Sequence, residues 1–545
     1  MAGTAPMAPT RDLDAVVVGA GFSGLYMLHH LRDVLGLSAR VYEAADGVGG
    51  TWYWNRYPGA RCDSESYYYS YSFSEELQQE WVWSSKYPEQ PEILRYLEHV
   101  ADRFDLRRDI RLSTRVTRAV FRDDSDDWEI HTDRGDVVTA QFFISAVGCL
   151  SAANVPALPG LDRFAGEWYH TGAWPREPVD FSGKRVGLVG TGSTGIQVTP
   201  VVAAEARHLT VFQRTPNYSV PARNFALTHE QMSEIKSNYR DIRRKARESF
   251  AGFPYDPSNQ SAMDVTSEDR RATYERLWAE EGGFKFIYGS YIDLLFNKDS
   301  NDTASEFIRS KIRQTVKDPV VAERLVPTDY PYGTKRPPID TDYYRAFNRD
   351  NVTLVDLRET PITEVTPGGL RTTGADHELD TLVFATGFDA MTGSLLRIDV
   401  RGRDGHELRK KWEGGPLTYL GMQVAGFPNM FVVTGPGSPS VLTNMPLAIE
   451  QHVEWIGDCI SYLRQQGLTR VEATEEAEAA WVDQVRRVAE ATLFPLANSW
   501  YVGANIPGKS RVFMPYVGGF VHYRRHCEDV AAKGYEGFAF SSRAS

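Results

Sequence analysis

Two glycine loops constrain this chain most: "GAGFSG" at 19–24 and "GTGSTG" at 190–195. Before the first runs an apolar stretch, Ala15–Val18, that reads as a buried strand. After it comes a helical apolar stripe through Leu25, Leu28 and Leu31. Gly19, Gly21 and Gly24 suit three tasks: a tight turn, close approach to a pyrophosphate, and close helix–strand packing. The helix that follows points its unpaired N–H groups at an anion. "ARVYEA" then supplies a second strand and ends in an acid. The whole unit recurs in "KRVGLVGTGSTGIQVTPVVAAEARHLTVFQRTP", with Gly190, Gly192 and Gly195 in the loop. The fold class predicted is α/β, with two Rossmann-like dinucleotide-binding domains.

The two units differ at one position. Counting 24 residues from Gly19 reaches Glu43, and 24 from Gly190 reaches Arg214. An acid there binds ribose hydroxyls and repels a 2′-phosphate, whereas arginine binds that phosphate bidentately. The first site therefore suits FAD and the second NADPH, with Gln213 and Thr215 available for further hydrogen bonds. Each unit also has a later apolar strand ending in Ala-x-Gly, at Ala146–Gly148 and Ala385–Gly387. Small residues there would let the chain pass close to a dinucleotide and leave the domain.

At 545 residues the chain exceeds what one hydrophobic core serves. The expected order is interleaved. The first part of the FAD domain spans 1–150, and the first part of the NADPH domain spans 151–226. A helical insertion spans 227–330, the NADPH domain resumes over 331–387, and the rest of the FAD domain spans 388–545 with a mobile loop near 500. The first residues, "MAGTAPMAPTRDLD", lack an apolar segment and read as a short disordered tail. A net charge of −12 argues against a nucleic-acid partner. No apolar run is long enough to span a bilayer. Cys62, Cys149, Cys459 and Cys527 are scattered. That suits a reducing cytoplasm, offers no structural metal site, and lacks the Cys-x-x-Cys of a dithiol flavoenzyme.

Electrons in such a chain pass from nicotinamide to flavin, and their final acceptor is the open question. Between the loops lies "FAGEWYHTGAWP", where Phe164, Gly166, His170, Trp174 and Pro175 fit F-x-G-x-x-x-H-x-x-x-W-P. This resembles the fingerprint of type I Baeyer–Villiger monooxygenases. The resemblance extends through "GTWYWNRYPGARCD" at 50–63, "YGTKRP" at 332–337, "FATGFDA" at 384–390 and "GANIPGK" at 503–509. It implies that NADPH reduces FAD and that O2 then gives a C4a-peroxyflavin. That species converts cyclic, linear or arylaliphatic ketones to lactones or esters. Two rivals stay open: a flavin-containing amine or sulfide monooxygenase, and a non-catalytic redox sensor that keeps both nucleotides. A monomer or weak oligomer is expected.

The same resemblance implies site residues. Arg336 is the expected catalytic cation and Asp63 its carboxylate partner. A fixed cation would stabilise the peroxide anion and the oxyanion of the tetrahedral adduct. Lys335 would join Arg214 at the 2′-phosphate, and Arg61 would lie near the nicotinamide. Trp52 would pack on the flavin with Tyr69 nearby, and Phe22, Thr51 and Val116 join the expected cofactor contacts. Thr191, Ser193, Thr194 and Gln197 do so around the second loop. Trp500 resembles a mobile-loop tryptophan that closes over NADP. His170 is expected on a linker between the nucleotide domains, as a conformational relay. Ser440, Val441 and Leu442 form the expected substrate loop. Bottom-up, His170 alone has no metal-ligand companions.

Overall fold

The computed structural model describes residues 11–256 and 258–542, so the N-terminal tail up to residue 10 lies outside the described residues. The first apolar run forms the strand Leu13–Val18, fully buried where it reaches the loop. It pairs in parallel with Ala39–Tyr42 on one side and Val137–Ser145 on the other. The complete sheet has eight strands. In spatial order seven of them are Asp399–Arg401, Val116–Arg122, Asp127–Thr132, Val137–Ser145, Leu13–Val18, Ala39–Tyr42 and Ile110–Arg111. Met430–Val432 adds beside the end of Val137–Ser145. Helix Phe22–His29 buries its apolar stripe against helix Met445–Gln465, so the C-terminal part of the chain completes the core of the first unit.

The second sheet is all parallel, in the order Val352–Asp356, His208–Gln213, Arg185–Val189, Thr381–Phe384, Glu167–His170. Its first four strands repeat the order found around Leu13–Val18: outer strand, second strand, first strand, and the strand that ends in Ala-x-Gly. In both units an antiparallel meander precedes that last strand, Val116–Thr132 in one and Ile362–Glu378 in the other. Parallel strands covered on both faces read as continuous apolar runs, which is why both units were visible in the sequence.

A set of helices interrupts the second unit in sequence and packs against its core. It leaves the second unit after Val220–Pro221 and returns at Ile339–Asp340, and these two short strands pair in parallel. Its helices include His229–Ser237, Tyr239–Glu248, Ser267–Arg276, Lys298–Thr315 and Pro319–Leu325. Their starts are chemically marked: Thr228 and Gln231 form a reciprocal capping box, and Asn297 and Asp318 accept backbone N–H groups at two further starts. Among the described residues no helix is long and apolar enough to cross a membrane.

One expectation is corrected. The segment around His170 is not a free linker. Glu167–His170 is the edge strand of the second sheet, with His170 opposite Phe384. Its first three residues are wholly or partly exposed, so it lacks the apolar alternation that signals a strand. The crossings between the two units are instead residues 146–155 and 385–391. They pair antiparallel as a ribbon: Asn154 N donates to Gly387 O at 2.9 Å, Asp389 N to Ala152 O at 2.8 Å, and Met391 N to Cys149 O at 2.8 Å.

Candidate functional site

Both glycine loops open onto one cleft of about 520 Å³, a size typical of ligand sites. From the first unit it is lined by Gly19, Gly21, Phe22, Glu43, Thr51, Trp52, Arg61, Asp63, Tyr69 and Val116. Ser193, Thr194 and Gln197 reach it from the second unit, and Arg336, Val441 and Trp500 also line it. Gly24, the loop residues Gly190–Gly192, Gly195, Ser440, Leu442, Arg214, Thr215 and Lys335 do not line this cleft.

The glycines divide into two kinds. A Cβ on Gly24 would stand 1.7 Å from Gly19 O, and one on Gly195 2.1 Å from Gly190 O, so these positions serve the helix–strand contact. Gly192 is different. Its φ is −78°, open to any residue, and among the described residues no atom lies within 4 Å of a Cβ placed there. The backbone needs no glycine at 192, but a dinucleotide resting against it does. Glu43 is buried and accepts Ala20 N–H at 2.7 Å and Ala45 N–H at 2.8 Å. Burial raises its pKa, and those backbone donors pull the other way. Its remaining lone pairs face the cleft where ribose hydroxyls would lie.

At the far side of the second loop, Thr191 Oγ1 donates to Thr215 O at 2.9 Å and ties the loop to the strand end. Lys335 Nζ sits 4.2 Å above the Tyr330 ring, and Arg214 is exposed. Burial first, and then the Arg214 charge, pull the Lys335 pKa down to about 8. Lys335 and Arg214 thus bring two like charges near each other beside the second loop.

At the centre, Arg336 and Asp63 form a fork. Nε donates to Oδ2 at 2.9 Å and Nη2 to Oδ1 at 2.7 Å. Nη1 donates to Val441 O at 2.8 Å, and the guanidinium lies 4.9 Å from the Phe284 ring centre. Burial alone would weaken the Arg336 charge, but the Asp63 charge and hydrogen bonds outweigh it and hold the pKa above its ordinary value. The carbonyl of Val441 faces Arg336 through a turn in which Ser440 has φ +44°, a left-handed conformation costly for a non-glycine residue. Tyr69 receives the Trp52 indole N–H at 3.2 Å, and its ring meets Phe22 edge-on at 5.4 Å. Arg61 turns its guanidinium to Tyr87 O and Glu89.

The fingerprint residues cluster away from Arg336. His170 Nδ1 accepts Gly172 N–H at 3.0 Å, and Nε2 lies 3.2 Å from Thr386 Oγ1. Thr386 gives its own proton to Asn154 O at 2.6 Å, so Nε2 is the donor and the imidazole is neutral. Burial lowers its pKa further. His170 thus grips both strands of the crossing ribbon. Trp174 is buried against Tyr169 and Phe181. Gly166 admits the Asp380 carbonyl, which a Cβ would meet at 2.3 Å, and Phe164 packs in the same cluster.

Several contacts were invisible in sequence spacing. Tyr57 OH donates to Gln197 Oε1 at 2.8 Å, and Gln197 Nε2 donates to Arg61 O at 3.0 Å, bridging the two units across the cleft. Tyr501, Cys62 and Cys149 are buried near Arg336; burial raises the pKa of each, and the Arg336 charge pulls the other way. Only the aromatic richness of 50–63 and 500–501 hinted at them.

Two dinucleotide-type glycine loops, a shared cleft and a bidentate Arg336–Asp63 pair lining it suit a flavin- and nicotinamide-dependent monooxygenase. Comparisons with known proteins agree. Residues 14–224 match the family model of flavin-binding monooxygenase-like proteins. A Baeyer–Villiger monooxygenase of Pseudooceanicola batsensis is 47% identical over 96% of this chain and 95% of its own. A phenazine N-monooxygenase of Lysobacter antibioticus is 45% identical over 98% of each chain. The solved structure of an oxidized steroid monooxygenase bound to NADP is 55% identical, with TM-score 0.93, covering 97% of this chain and 99% of that one. The chain belongs to the Baeyer–Villiger monooxygenase family of flavoproteins.

Proposed function

We propose that this chain uses NADPH, FAD and O2 to insert one oxygen atom beside a ketone carbonyl, giving an ester or lactone. FAD, once reduced, supplies the activated oxygen. The observation that carries the reading is the Asp63–Arg336 fork at the point where both dinucleotide loops open to one cleft. A guanidinium has five N–H donors, and three are engaged by Asp63 and Val441. Two remain for an oxygen in the cleft. The side chains of Arg336 and Asp63 are only 25% and 18% exposed, so a developing oxyanion there is stabilised more than in water. Asp63 orients the fork and offsets its charge before an oxyanion forms.

Glu43 and the Gly19–Gly24 loop hold the FAD ribose and pyrophosphate. Gly190–Gly195, Arg214 and Lys335 hold NADPH, Trp500 closes the cleft against water, and Ser440–Leu442 shape the substrate end. In this reading residues 1–150 and 388–545 form the FAD-binding unit, 151–226 and 331–387 the NADPH-binding unit, and 227–330 the helical insertion. The four unpaired cysteines support action in the cytoplasm, as a monomer or weak oligomer, which light scattering after size exclusion tests.

The deciding experiment supplies NADPH, ¹⁸O₂ and a panel of cyclic, linear and arylaliphatic ketones. One labelled oxygen in an ester or lactone supports the reading; NADPH consumption without any ester across the panel overturns it. A second reading, N-oxygenation of an aromatic heterocycle, is favoured by the likeness to the phenazine N-monooxygenase. Oxygen transfer to nitrogen forms no tetrahedral oxyanion, so Arg336→Ala would spare it more than ester formation.

A further inference from the structure

Between Val502 and Phe520 the chain has no helix or strand, yet Trp500 just before it lines the cleft. Such a segment is positioned by its hydrogen bonds to neighbouring chain. Ser510 Oγ donates to Glu413 O at 2.6 Å, and Met514 N to Tyr501 O at 2.9 Å. Two side-chain anchors go elsewhere. Asn505 Nδ2 donates to Phe388 O at 2.7 Å, and Lys509 Nζ meets Asp389 Oδ1 at 2.6 Å and Ala390 O at 2.7 Å. All three acceptors lie on one strand of the ribbon that crosses between the two sheets. The same strand carries Thr386, which His170 holds.

We infer that Lys509 is a positioning residue that latches the Trp500 loop to the crossing ribbon, so that closure of the cleft follows the relative placement of the two nucleotide-binding units. The ribbon is the only pair of main-chain crossings between the eight-stranded and five-stranded sheets among the described residues. Any rotation of one unit against the other must bend or turn it. Phe388–Ala390 then moves with it, and the loop moves through Asn505 and Lys509. The Lys509 and Asp389 side chains are 15% and 35% exposed, which shields the ion pair from full screening while leaving it breakable. The edge strand and His170 report the position of the NADPH-binding unit to one end of the ribbon, and the loop reads it at the other.

The inference rests on the reading that Trp500 closes the cleft, and its test has a readout independent of ketone chemistry. Hydrogen–deuterium exchange of the 499–515 segment is followed in the FAD-loaded protein with NADP⁺ added. The unaltered protein slows exchange there on NADP⁺ binding. Lys509→Met, which keeps the length and loses the charge, weakens that protection about five- to tenfold. Lys509→Arg restores most of it, because a guanidinium reaches both Asp389 and the Ala390 carbonyl. Asp389→Asn, a variant that keeps its shape, gives an intermediate loss. In turnover Lys509→Met diverts NADPH oxidation from product to hydrogen peroxide, while flavin reduction without O2 stays within about twofold. Unchanged loop exchange in both Lys509→Met and Asp389→Asn overturns the latch. So does a proportional loss of reduction and oxygenation, which marks a merely structural role. An unaltered protein that protects its loop but forms no ester refutes the ketone reading and leaves the latch supported.

Discussion

Coenzyme binding in this chain should carry a pH signature that belongs to one lysine. In the free protein the Lys335 pKa is lowered from 10.5 to about 8, by burial and then by Arg214. A 2′-phosphate dianion between the two cations would restore the ordinary value. The free protein thus holds the Lys335 proton more weakly than the complex does. NADPH affinity is therefore complete below pH 8 and is lost as pH rises through 8. At pH 9 about one-tenth of the free protein keeps the proton, so binding weakens about tenfold per pH unit. The ceiling is the gap between 10.5 and about 8, roughly 300-fold. Partial hydration of a half-buried ammonium trims it. The assay is the dissociation constant of NADPH from pH 7 to 10, followed by flavin reduction without O2, with NADH as control. NADH lacks the 2′-phosphate and should show no inflection near 8. Lys335→Arg, whose guanidinium stays charged throughout, should flatten the NADPH profile. An inflection shared by both coenzymes, or one that survives Lys335→Arg, would refute the reasoning.

Three further outcomes follow from the geometry. Arg336→Ala should keep its FAD and still accept hydride from NADPH, yet lose ester formation by about 10²–10³ in rate. Arg336→Lys should fail to restore it, since an ammonium cannot bind both Asp63 oxygens and an oxyanion; stopped-flow spectra and product analysis check both. Gly192→Ala should fold with stability within about 0.5 kcal/mol of the parent and bind NADPH poorly. Gly24→Ala should lose the first unit's packing, because its Cβ would overlap Gly19 O; thermal melts and cofactor titrations separate the two. His170→Ala should slow oxygenation and retain FAD, and His170→Gln, which still offers an N–H to Thr386, should recover part of the rate. The effect should be level from pH 6 to 9, because the buried imidazole is already neutral. A rate that tracks protonation near pH 6.5 would give His170 a different role.

What the sequence made legible was the part fixed by local backbone geometry. Gly24 and Gly195 sit where no side chain fits, and buried parallel strands leave apolar runs on either side of them. The contrast of Glu43 with Arg214 was legible for a related reason: a fixed count from the loop reaches the end of the next strand, where the proposed reading has the charge choose the nucleotide. The edge strand Glu167–His170 was not legible, because exposure on both faces removes the alternation. Arg336 and Asp63 are 273 residues apart. No periodicity joins them, and only the family resemblance put them together. The Tyr57–Gln197 bridge and the Lys509–Asp389 pair are hidden for the same reason, since each joins residues that lie far apart in sequence.

These hidden contacts share a location. Fork and bridge join the two nucleotide-binding units and the loop anchors seize the ribbon that crosses between them, and each of these contacts is made by side chains that a single unit does not need in order to fold. A glycine loop is required by its own strand and helix, so it leaves a local pattern. A contact between units is required only by the reaction, which needs hydride delivery, an oxyanion site and exclusion of water in one cleft. The twofold repetition of the dinucleotide unit explains how the chain folds. What it does is carried by residues that break the repetition: Arg214 against Glu43, Arg336 reaching across to Asp63, and a C-terminal segment that touches the ribbon joining the units.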